Sequence, residues 1–466
     1  MSSGRQRGPF SSRRRFGRSA YSFRGRDRPR GSSRARSNLS LREPPLGPIL
    51  AIINKEELRE SHDNADPEAP CITDCRTLAS YNWLNRAKPT ILVPGCPPAW
   101  TPVTQPIQLS EDSGEYFRDQ NAARYSSHPL QPAMEALLKQ DPTFELDSVH
   151  IVACSSTLGN LLRFVRDPNK KFRVLVEVVG STVFFLRREN SPTEIIPDVR
   201  GYGHTFPEAY TTWDRDVRGS ESHQRVIRYR FGEVECLVRF EADGYFRDRC
   251  NDASDTPRPR DSAITSLLGQ ATVSPHEPED TGSLEIQDAG HVIPQAAIFD
   301  LKTRSIKRKH DDIMAEELPR LWVSQTPNFL VVFHKNGRFD DIRIQEARSA
   351  IQEWEIRESN ALCQFHALLI QLISFAHGRL DRRFEIVHEE FADALELREV
   401  MPDVNHVVPD GLKARLVTGP DDDYENIEVA NSDDDRDSLF YSDGESDKDF
   451  TACSASSCGY CGHCGY

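Results

Sequence analysis

Runs of apolar residues in the central part of the chain predict several strands. The segment 89–95, PTILVPG, has the continuous apolar pattern of a buried strand. Two pairs of β-branched and aromatic runs flank Gly180-Ser181 and Gly232-Glu233, and a third pair flanks Lys335-Asn336-Gly337. Short turn sequences between such runs are typical of hairpins. We therefore predict three hairpins in addition to the first strand.

Helical spacing appears between and after these strands. Apolar residues recur every three to four positions over 132–138, from Thr157 onward, and in one long helix from Ile344 to about His377. Six residues of the long helix are expected in the core: Ile351, Trp354, Leu362, Phe365, Leu369 and Ile373. Cys363 and His366 on the same helix are interpreted as core residues rather than ligands. The pattern predicts an α/β (α+β) fold, with a mixed β-sheet and flanking helices.

The two ends of the chain differ from this pattern in composition. Residues 1–42 contain thirteen Arg, no Lys and one acid, a net +12 in a chain of −14, which leaves −26 for the rest (−14 minus +12). Such biased segments cannot bury enough apolar surface to fold. Five regions follow: a disordered Arg-rich arm (1–44), the first part of a folded domain (45–248), an inserted polar loop (249–292), the second part of that domain (293–418) and an acidic, Cys-ended disordered tail (419–466).

The arm interleaves arginine with glycine, serine and aromatic residues. Guanidinium groups hold phosphates and stack on bases, so RNA binding is the functional interpretation. The expected contacts are Arg13, Arg14, Arg15, Arg24 and Arg26. A solvated arm or a nuclear import signal explains the same composition. We predict a nuclear protein, with the cytoplasm as the alternative.

Membrane and secretory segments are not predicted. No uninterrupted run of about 18 apolar residues and no apolar signal segment occurs, so a soluble intracellular protein without membrane contact is expected. The eleven Cys are scattered and form no disulfide framework, so reduced thiols are expected.

Two short strand-like segments carry the candidate chemistry. Glu241 and Asp243 are two residues apart in FEAD, and Asp300 and Lys302 are two apart in DLK, so each pair projects from one face of a strand. Three carboxylates and a lysine that converge would suit Mg²⁺ or Mn²⁺ and phosphodiester hydrolysis. Acidic residues on the wet face of an antiparallel strand are the plainer explanation. The apolar runs before both motifs favour function, because charge in such a setting is costly.

The order of these segments resembles the PD-(D/E)XK nuclease core and, more specifically, the decapping exoribonuclease family, which removes aberrant 5′ ends of RNA. That family shows a G-Φ-x-Φ-E element, then E-Φ-D, E-Φ-K and a Trp-x-Gln-Ser segment. The corresponding segments here are RGYGHTFPEAY, FEAD, DLK and LWVSQTPNFLVVFH, and the resemblance runs from about residue 145 to 377. It implies a catalytic and metal-binding set of Glu241, Asp243 and Asp300, with Lys302 near the attacking water and Gln325 near the substrate.

Three positions depart from the family pattern. Pro207 stands where the family has an upstream glutamate, so Glu208 is assigned that catalytic and metal-binding role from the next position. Asp300 replaces a glutamate, and Ser155 stands where the family has an arginine. These departures keep open a second interpretation, a catalytically dead pseudonuclease that binds RNA.

The resemblance also implies partners. RNA is the expected partner, with a partner exonuclease as a further candidate, and no oligomeric state is predicted. The basic run 302–309 can be interpreted as a nuclear import signal, but it follows Lys302 directly, and its Arg304 is alternatively expected to line the RNA path.

Residues from about 70 to 250 also resemble a fungal protein group often labelled geranylgeranyl pyrophosphate synthetase, through SGEYFRDQNAARY, GYGHTFPEAYTTWD and GSESHQR. Prenyl synthases hold a diphosphate with two aspartate-rich motifs across a helical bundle. The literal DDxxD at 433–437 lies in the acidic tail, and the ordered part is strand-rich. This activity is therefore kept as a second alternative to the hydrolase.

The extreme C-terminus contains thiol and imidazole groups at zinc-like spacing. The residues are Cys453, Cys458, Cys461, His463 and Cys464. A single cluster lacks the second half that most zinc modules need, so structural zinc is not favoured here.

Overall fold

A computed structural model describes residues 43–63, 69–113, 116–196, 199–250 and 283–418. The Arg-rich arm with Arg13, Arg14, Arg15, Arg24 and Arg26, most of the predicted polar loop, and the acidic tail with its Cys cluster lie outside the described residues. The predictions for those segments stay predictions.

Strands and helices alternate along the described ranges. In chain order they are β1 Ile49–Asn54, α1 Lys55–Asp63, β2 Ile72–Leu84, β3 Thr90–Gly95, β4 Ala99–Trp100, α2 Gln120–Arg124, α3 Gln131–Gln140, β5 Ile151–Cys154, α4 Ser155–Arg166, β6 Phe172–Val179, β7 Thr182–Arg187, α5 Thr205–Tyr210, β8 Thr211–Thr212, β9 Ser220–Phe231, β10 Val234–Glu241, β11 Gly244–Tyr245, β12 Glu285–Gly290, β13 Ile298–Ser305, α6 Ile313–Ser324, β14 Asn328–Lys335, β15 Arg338–Glu346, α7 Arg348–Arg357, α8 Ser359–Gly378, β16 Arg383–His388, β17 Ala394–Arg398 and α9 Asp410–Thr418.

The larger sheet has eleven strands in the order β1-β17-β16-β6-β7-β5-β10-β9-β2-β3-β12. Most neighbours are antiparallel, but β5 runs parallel to both β7 and β10, and β12 runs parallel to β3. Both faces of this sheet are buried. Successive side chains of a strand point to opposite faces, so each strand contributes to both cores. In β10, Val238 packs into the core beneath α4, α6, α7 and α8, and Leu237 packs into the core beneath α3 and α9.

The smaller sheet has six strands in the order β15-β14-β13-β11-β4-β8. Strands β13 and β14 are parallel and are connected through α6. An aromatic cluster covers one face of this sheet, where Phe206 and Tyr210 of α5 pack with Phe299, Leu301 and Phe339. The other face of β13 lies towards α6, because Val331 and Phe333 of the neighbouring β14 share a core with Leu321.

The mixed α+β fold class is confirmed, and the local pattern was accurate for most of the elements that it predicted. The predicted hairpins correspond to β6–β7, β9–β10 and β14–β15, and the predicted strand and first two helices to β3, α3 and α4. The prediction of one long helix was wrong at its start, because β15 continues to Glu346. The segment that follows forms two helices, α7 and α8, which are separated at Glu358. Ile373 is only half-buried. The end of the predicted polar loop contains β12, which extends the larger sheet.

Helix α8 is the one helix of the described ranges that is long and apolar enough, by length and composition, to cross a membrane. The sequence prediction of no membrane segment rested on uninterrupted apolar runs, and polar residues interrupt the apolar pattern of α8. Leu362, Phe365 and Leu369 of α8 lie in the protein core, and the core helix of a soluble protein meets the same criterion.

Candidate active site

The two acidic motifs meet where the chain passes from the larger sheet to the smaller one. Glu241 is the last residue of β10, and Asp243 follows just before β11. Strand β11 pairs antiparallel with β13 and sets Gly244 opposite Phe299. The Oδ2 atom of Asp243 accepts a hydrogen bond of 2.7 Å from the backbone N–H of Leu301. This pairing brings Asp243 beside Asp300.

Lys302 lies on the same face of β13 as Asp300. Both side chains are only 5% exposed, whereas Phe299 and Leu301 point to the opposite face and join the aromatic cluster. The charge of Lys302 acts on two carboxylates, since it lowers the pKa of both Asp243 and Glu317. Three of the four principal predicted residues therefore lie together, with Asp300 and Lys302 buried and Asp243 half-buried.

The sequence did not predict the ion pairs that hold Asp300. Both oxygens of its carboxylate pair with the guanidinium of Arg320 on α6. The Nε atom of Arg320 also donates to Glu317 at 2.9 Å, and Glu317 pairs with Arg304 at 3.1 Å. A charged pair three residues apart in the apolar helix ELPRLWV was the available signal, because buried charges need partners.

Arg304 is therefore placed differently from its prediction. Its guanidinium pairs with Glu317 inside the protein, rather than standing on an open surface along an RNA path. The reason is strand alternation, which puts Arg304 on the same inward face of β13 as Asp300 and Lys302.

The pKa values of two acids in this cluster move in opposite directions. Burial, and then the neighbouring charge of Asp300, raise the pKa of Asp243 to about 7 against the pull of Arg320 and Lys302. Burial also tends to raise the pKa of Glu317, but Lys302, Arg320 and Arg304 outweigh it and lower that pKa to about 2. Negative charge is thus poorly balanced at Asp243 and well balanced at Glu317.

Two other predicted residues lie at the ends of elements. Glu241 is half-buried and accepts a hydrogen bond of 3.3 Å from Gln224. Gln325 follows α6 in a left-handed conformation with φ of 48°. Its side-chain amide donates to the carbonyl of Trp322 at 2.6 Å and so caps the end of the helix.

Glu208 does not join the carboxylates. It is exposed on α5, and that helix packs through Phe206 and Tyr210 on the face of β13 that carries Phe299 and Leu301. Asp300 points to the other face, so the body of the sheet separates the two acids. The assignment of Glu208 as a catalytic metal ligand is corrected: a shift of one position from Pro207 did not bring it to the site.

The donor types fit a hard divalent cation, although the arrangement fits only in part. Carboxylate oxygens are the ligands that Mg²⁺ and Mn²⁺ prefer, and the raised pKa of Asp243 marks negative charge that a cation would relieve. Within the described ranges, however, Glu241, Asp243 and Asp300 do not bring three ligand oxygens within 4.8 Å of one another. Arg320 already holds both oxygens of Asp300.

Comparisons with known proteins describe the chain as a whole. A family model described as "Domain of unknown function (DUF8563)" matches residues 51–417. No curated protein matches the sequence.

Several solved structures are similar to this chain. Rai1 of S. pombe shares 9% identity at a TM-score of 0.48, covering 75% of this chain and 99% of its own. Rai1 of Scheffersomyces stipitis in complex with (3′-NADP)⁺ and calcium ion shares 12% at 0.47, covering 77% and 94%. Rai1 of Candida albicans in complex with pU5-Mn²⁺ shares 11% at 0.46, covering 75% and 96%. These proteins are of the group that the sequence resembles, and no residue's role is taken from them.

Proposed function

We propose that this chain, which belongs to the family described as a domain of unknown function (DUF8563), is a metal-dependent hydrolase that acts on phosphodiester or 5′-end bonds of RNA. One observation carries the proposal: the half-buried Asp243 lies beside the buried Asp300 and Lys302 at the junction of the two sheets. Adjacent acids withdrawn from water beside a lysine are costly to stability. They are a recurrent arrangement for handling a phosphoryl group with a cation.

The residues divide the chemistry between them. Asp243, with Asp300 and Glu241 beside it, would hold Mg²⁺ or Mn²⁺, which polarises a phosphoryl oxygen and acidifies a bound water. The ammonium of Lys302 donates hydrogen bonds and would orient the attacking water or stabilise the charge that develops on the phosphate. Burial of the cluster strengthens both effects, because solvent screens charges less there.

A second candidate function follows from Arg320. The guanidinium of Arg320 holds both oxygens of Asp300. It thereby supplies positive charge from the protein itself at the position where a metal ion would bind. A protein of this kind would bind RNA without cutting it.

Hydrolysis of RNA with different 5′ ends tests the proposal. We expect Mn²⁺-dependent cleavage of 5′-monophosphate, 5′-triphosphate or capped RNA by the wild type, and a loss of at least about 100-fold in Asp243→Asn, since even indirect partners of a metal cost 10–100-fold. Asp340→Asn, an exposed acid of β15, is the matched control and should cleave normally.

The outcomes separate the two candidates. Equal cleavage by wild type and Asp243→Asn would sink the hydrolase assignment to this cluster. RNA binding without cleavage by either protein, at every 5′ end tested, would support the RNA-binding candidate instead.

A further inference from the structure

We propose that Cys96, Asp214 and His291 form a binding site for a transition-metal ion of the zinc type. The proposal is independent of the hydrolase and uses none of its residues. In the described part of the chain these are the one set of at least three Cys, His, Asp or Glu residues whose ligand atoms all lie within 4.8 Å of one another.

Parallel strands bring two of the ligands together. Strands β3 and β12 pair in register up to Gly95 opposite Gly290. Cys96 directly follows β3, and His291 directly follows β12. The backbone N–H of His291 donates to the carbonyl of Gly95 at 3.0 Å. Two residues that leave adjacent parallel strands at the same point lie side by side.

The two glycines permit this close approach. Gly95 and Gly290 have φ values of 63° and 81°, a region that residues with side chains rarely adopt. A Cβ atom on Gly290 would lie 2.4 Å from the carbonyl carbon of Gly95. The strand ends are therefore as close as backbone allows, which fixes the relative positions of Cys96 and His291.

The third ligand comes from the turn after β8. The Oδ2 atom of Asp214 lies 3.9 Å from Sγ of Cys96 and 4.0 Å from Nε2 of His291. Asp216 of the same turn accepts a hydrogen bond of 3.1 Å from the backbone N–H of Gly290. This bond ties the turn to β12 and keeps Asp214 next to the strand ends.

The surroundings orient the carboxylate as they do in metal sites. Tyr245 donates its O–H to Oδ2 of Asp214 at 3.0 Å, and Arg247 pairs with Oδ1. Such outer partners fix the direction of a ligand and are a regular part of metal centres. Cys96 is fully buried, whereas the His291 side chain is 54% exposed, so the site has an inner wall and an entrance from solvent.

The donor set selects the class of ion. One thiol sulfur, one imidazole nitrogen and one carboxylate oxygen are the three ligand types that Zn²⁺ takes, with bonds of about 2.0–2.3 Å. Tetrahedral ligands at such bond lengths stand about 3.4–3.7 Å apart. The separations of Asp214 Oδ2 from Sγ of Cys96 and from Nε2 of His291, 3.9 and 4.0 Å, need a contraction of less than about 1 Å to match. Three protein ligands leave the fourth position for water or a small ligand.

Cobalt(II) binding tests the site, because a thiolate bound to Co²⁺ gives a charge-transfer absorption in the near ultraviolet. The experiment uses the full-length chain with Cys453, Cys458, Cys461 and Cys464 replaced by serine, which removes the terminal thiols from the signal. We expect one equivalent of Co²⁺ with this absorption, displaced by Zn²⁺. Cys96→Ala should lose it, and Tyr245→Phe should bind about tenfold more weakly.

Cys236→Ala is the matched control, since Cys236 is also a fully buried thiol but lies in β10 away from the three ligands. It should keep the absorption. His291→Ala changes an exposed side chain and tests the site if Cys96→Ala does not fold. A folded parent protein without the absorption, or its retention in both Cys96→Ala and His291→Ala, would overturn the proposal. Asp243→Asn should keep the thiolate absorption, so failure of the hydrolase would leave this result unaffected.

Discussion

At Asp300 a carboxylate and a guanidinium meet through two pairs of atoms in a largely buried region. Arg320 and Glu317 extend this contact to Arg304, so charges of alternating sign continue from β13 into α6. Pairs of this kind contribute little when intact, because desolvation offsets the attraction, but the loss of one partner is expensive. The predictions at the scale of single residues use this asymmetry.

Replacement of Arg320 tests whether the guanidinium substitutes for a cation. We expect Arg320→Gln to lower the free energy of unfolding by about 3–5 kcal/mol, because Asp300 loses its buried partner. Mn²⁺ should restore part of this loss in the variant. Urea denaturation with and without Mn²⁺ measures both effects.

The exposed pair of Arg338 with Asp340 supplies the control. Arg338→Gln should cost less than about 1 kcal/mol and should not respond to Mn²⁺. If Mn²⁺ stabilises Arg320→Gln but not the wild type, the RNA-binding candidate gains support. An Arg320→Gln protein as stable as wild type would contradict the ion-pair account.

The raised pKa of Asp243 has a definite sign in the pH dependence of stability. The native carboxyl binds a proton near pH 7, whereas in the unfolded chain it does so near its ordinary value of 3.8. Between these values the native state holds the extra proton, so its contribution to stability falls as pH rises from about 4 to 7. Asp243→Asn removes this contribution, and the variant should gain stability relative to wild type at pH 8 compared with pH 5. Denaturation of both proteins at the two pH values measures it; a constant difference would show that Asp243 is not perturbed.

Among the elements, those fixed by local pattern were predictable and those fixed by distant partners were not. The hairpins around Gly180-Ser181 and Gly232-Glu233 carry their turn signals within a few residues. Strand β12 is polar and half-buried, and its partner β3 lies far away in the sequence. The break at Glu358 has no proline or glycine to mark it, since both flanking segments keep helical spacing.

The candidate site likewise has features that the local sequence pattern predicts and features that depend on distant partners. The alternation of side chains was enough to predict that Asp300 and Lys302 share a face, because two-residue spacing is a property of any strand. The pairing of Arg320 with Asp300 depends on how α6 packs on β13, which no local pattern encodes. The failure of Glu208 has the same cause, since only the packing of α5 decides which side of the sheet it faces.

At the scale of elements, substitution of two glycines distinguishes the stability cost of backbone strain from the cost of disturbing close packing. Gly219 and Gly290 both have positive φ, 86° and 81°, but a Cβ on Gly219 would meet nothing within 4 Å. Gly219→Ala should cost about 1–2 kcal/mol from the backbone alone. Gly290→Ala should cost roughly 1–3 kcal/mol more, because the ends of β3 and β12 must move apart. Thermal unfolding of both variants measures the difference, and equal costs would contradict the close approach of the two strands.

At the scale of the whole molecule, charge is divided between a basic arm and an acidic remainder. If the arm binds RNA, its contacts with phosphates release counterions. For single strands, each contact then lowers the logarithm of the affinity by about 0.7 for every tenfold increase in salt concentration. Glutamine in place of Arg13, Arg14, Arg15, Arg24 and Arg26 should reduce the slope of log affinity against log salt by about 3.5. Binding assays at several salt concentrations measure the slope. An unchanged slope would place the RNA contacts elsewhere.

The passage from the larger to the smaller sheet has a mechanical consequence. Glu241 ends one sheet and Gly244 begins the other, with only Ala242 and Asp243 between them. Since an extended residue spans about 3.3 Å, this tether is roughly 10 Å long and leaves the sheets little freedom at that point. Glu241 moves with one sheet and Asp300 with the other, so their separation follows the angle between the sheets. A ligand that bridges the two acids would therefore resist any change in the angle between the sheets at this point.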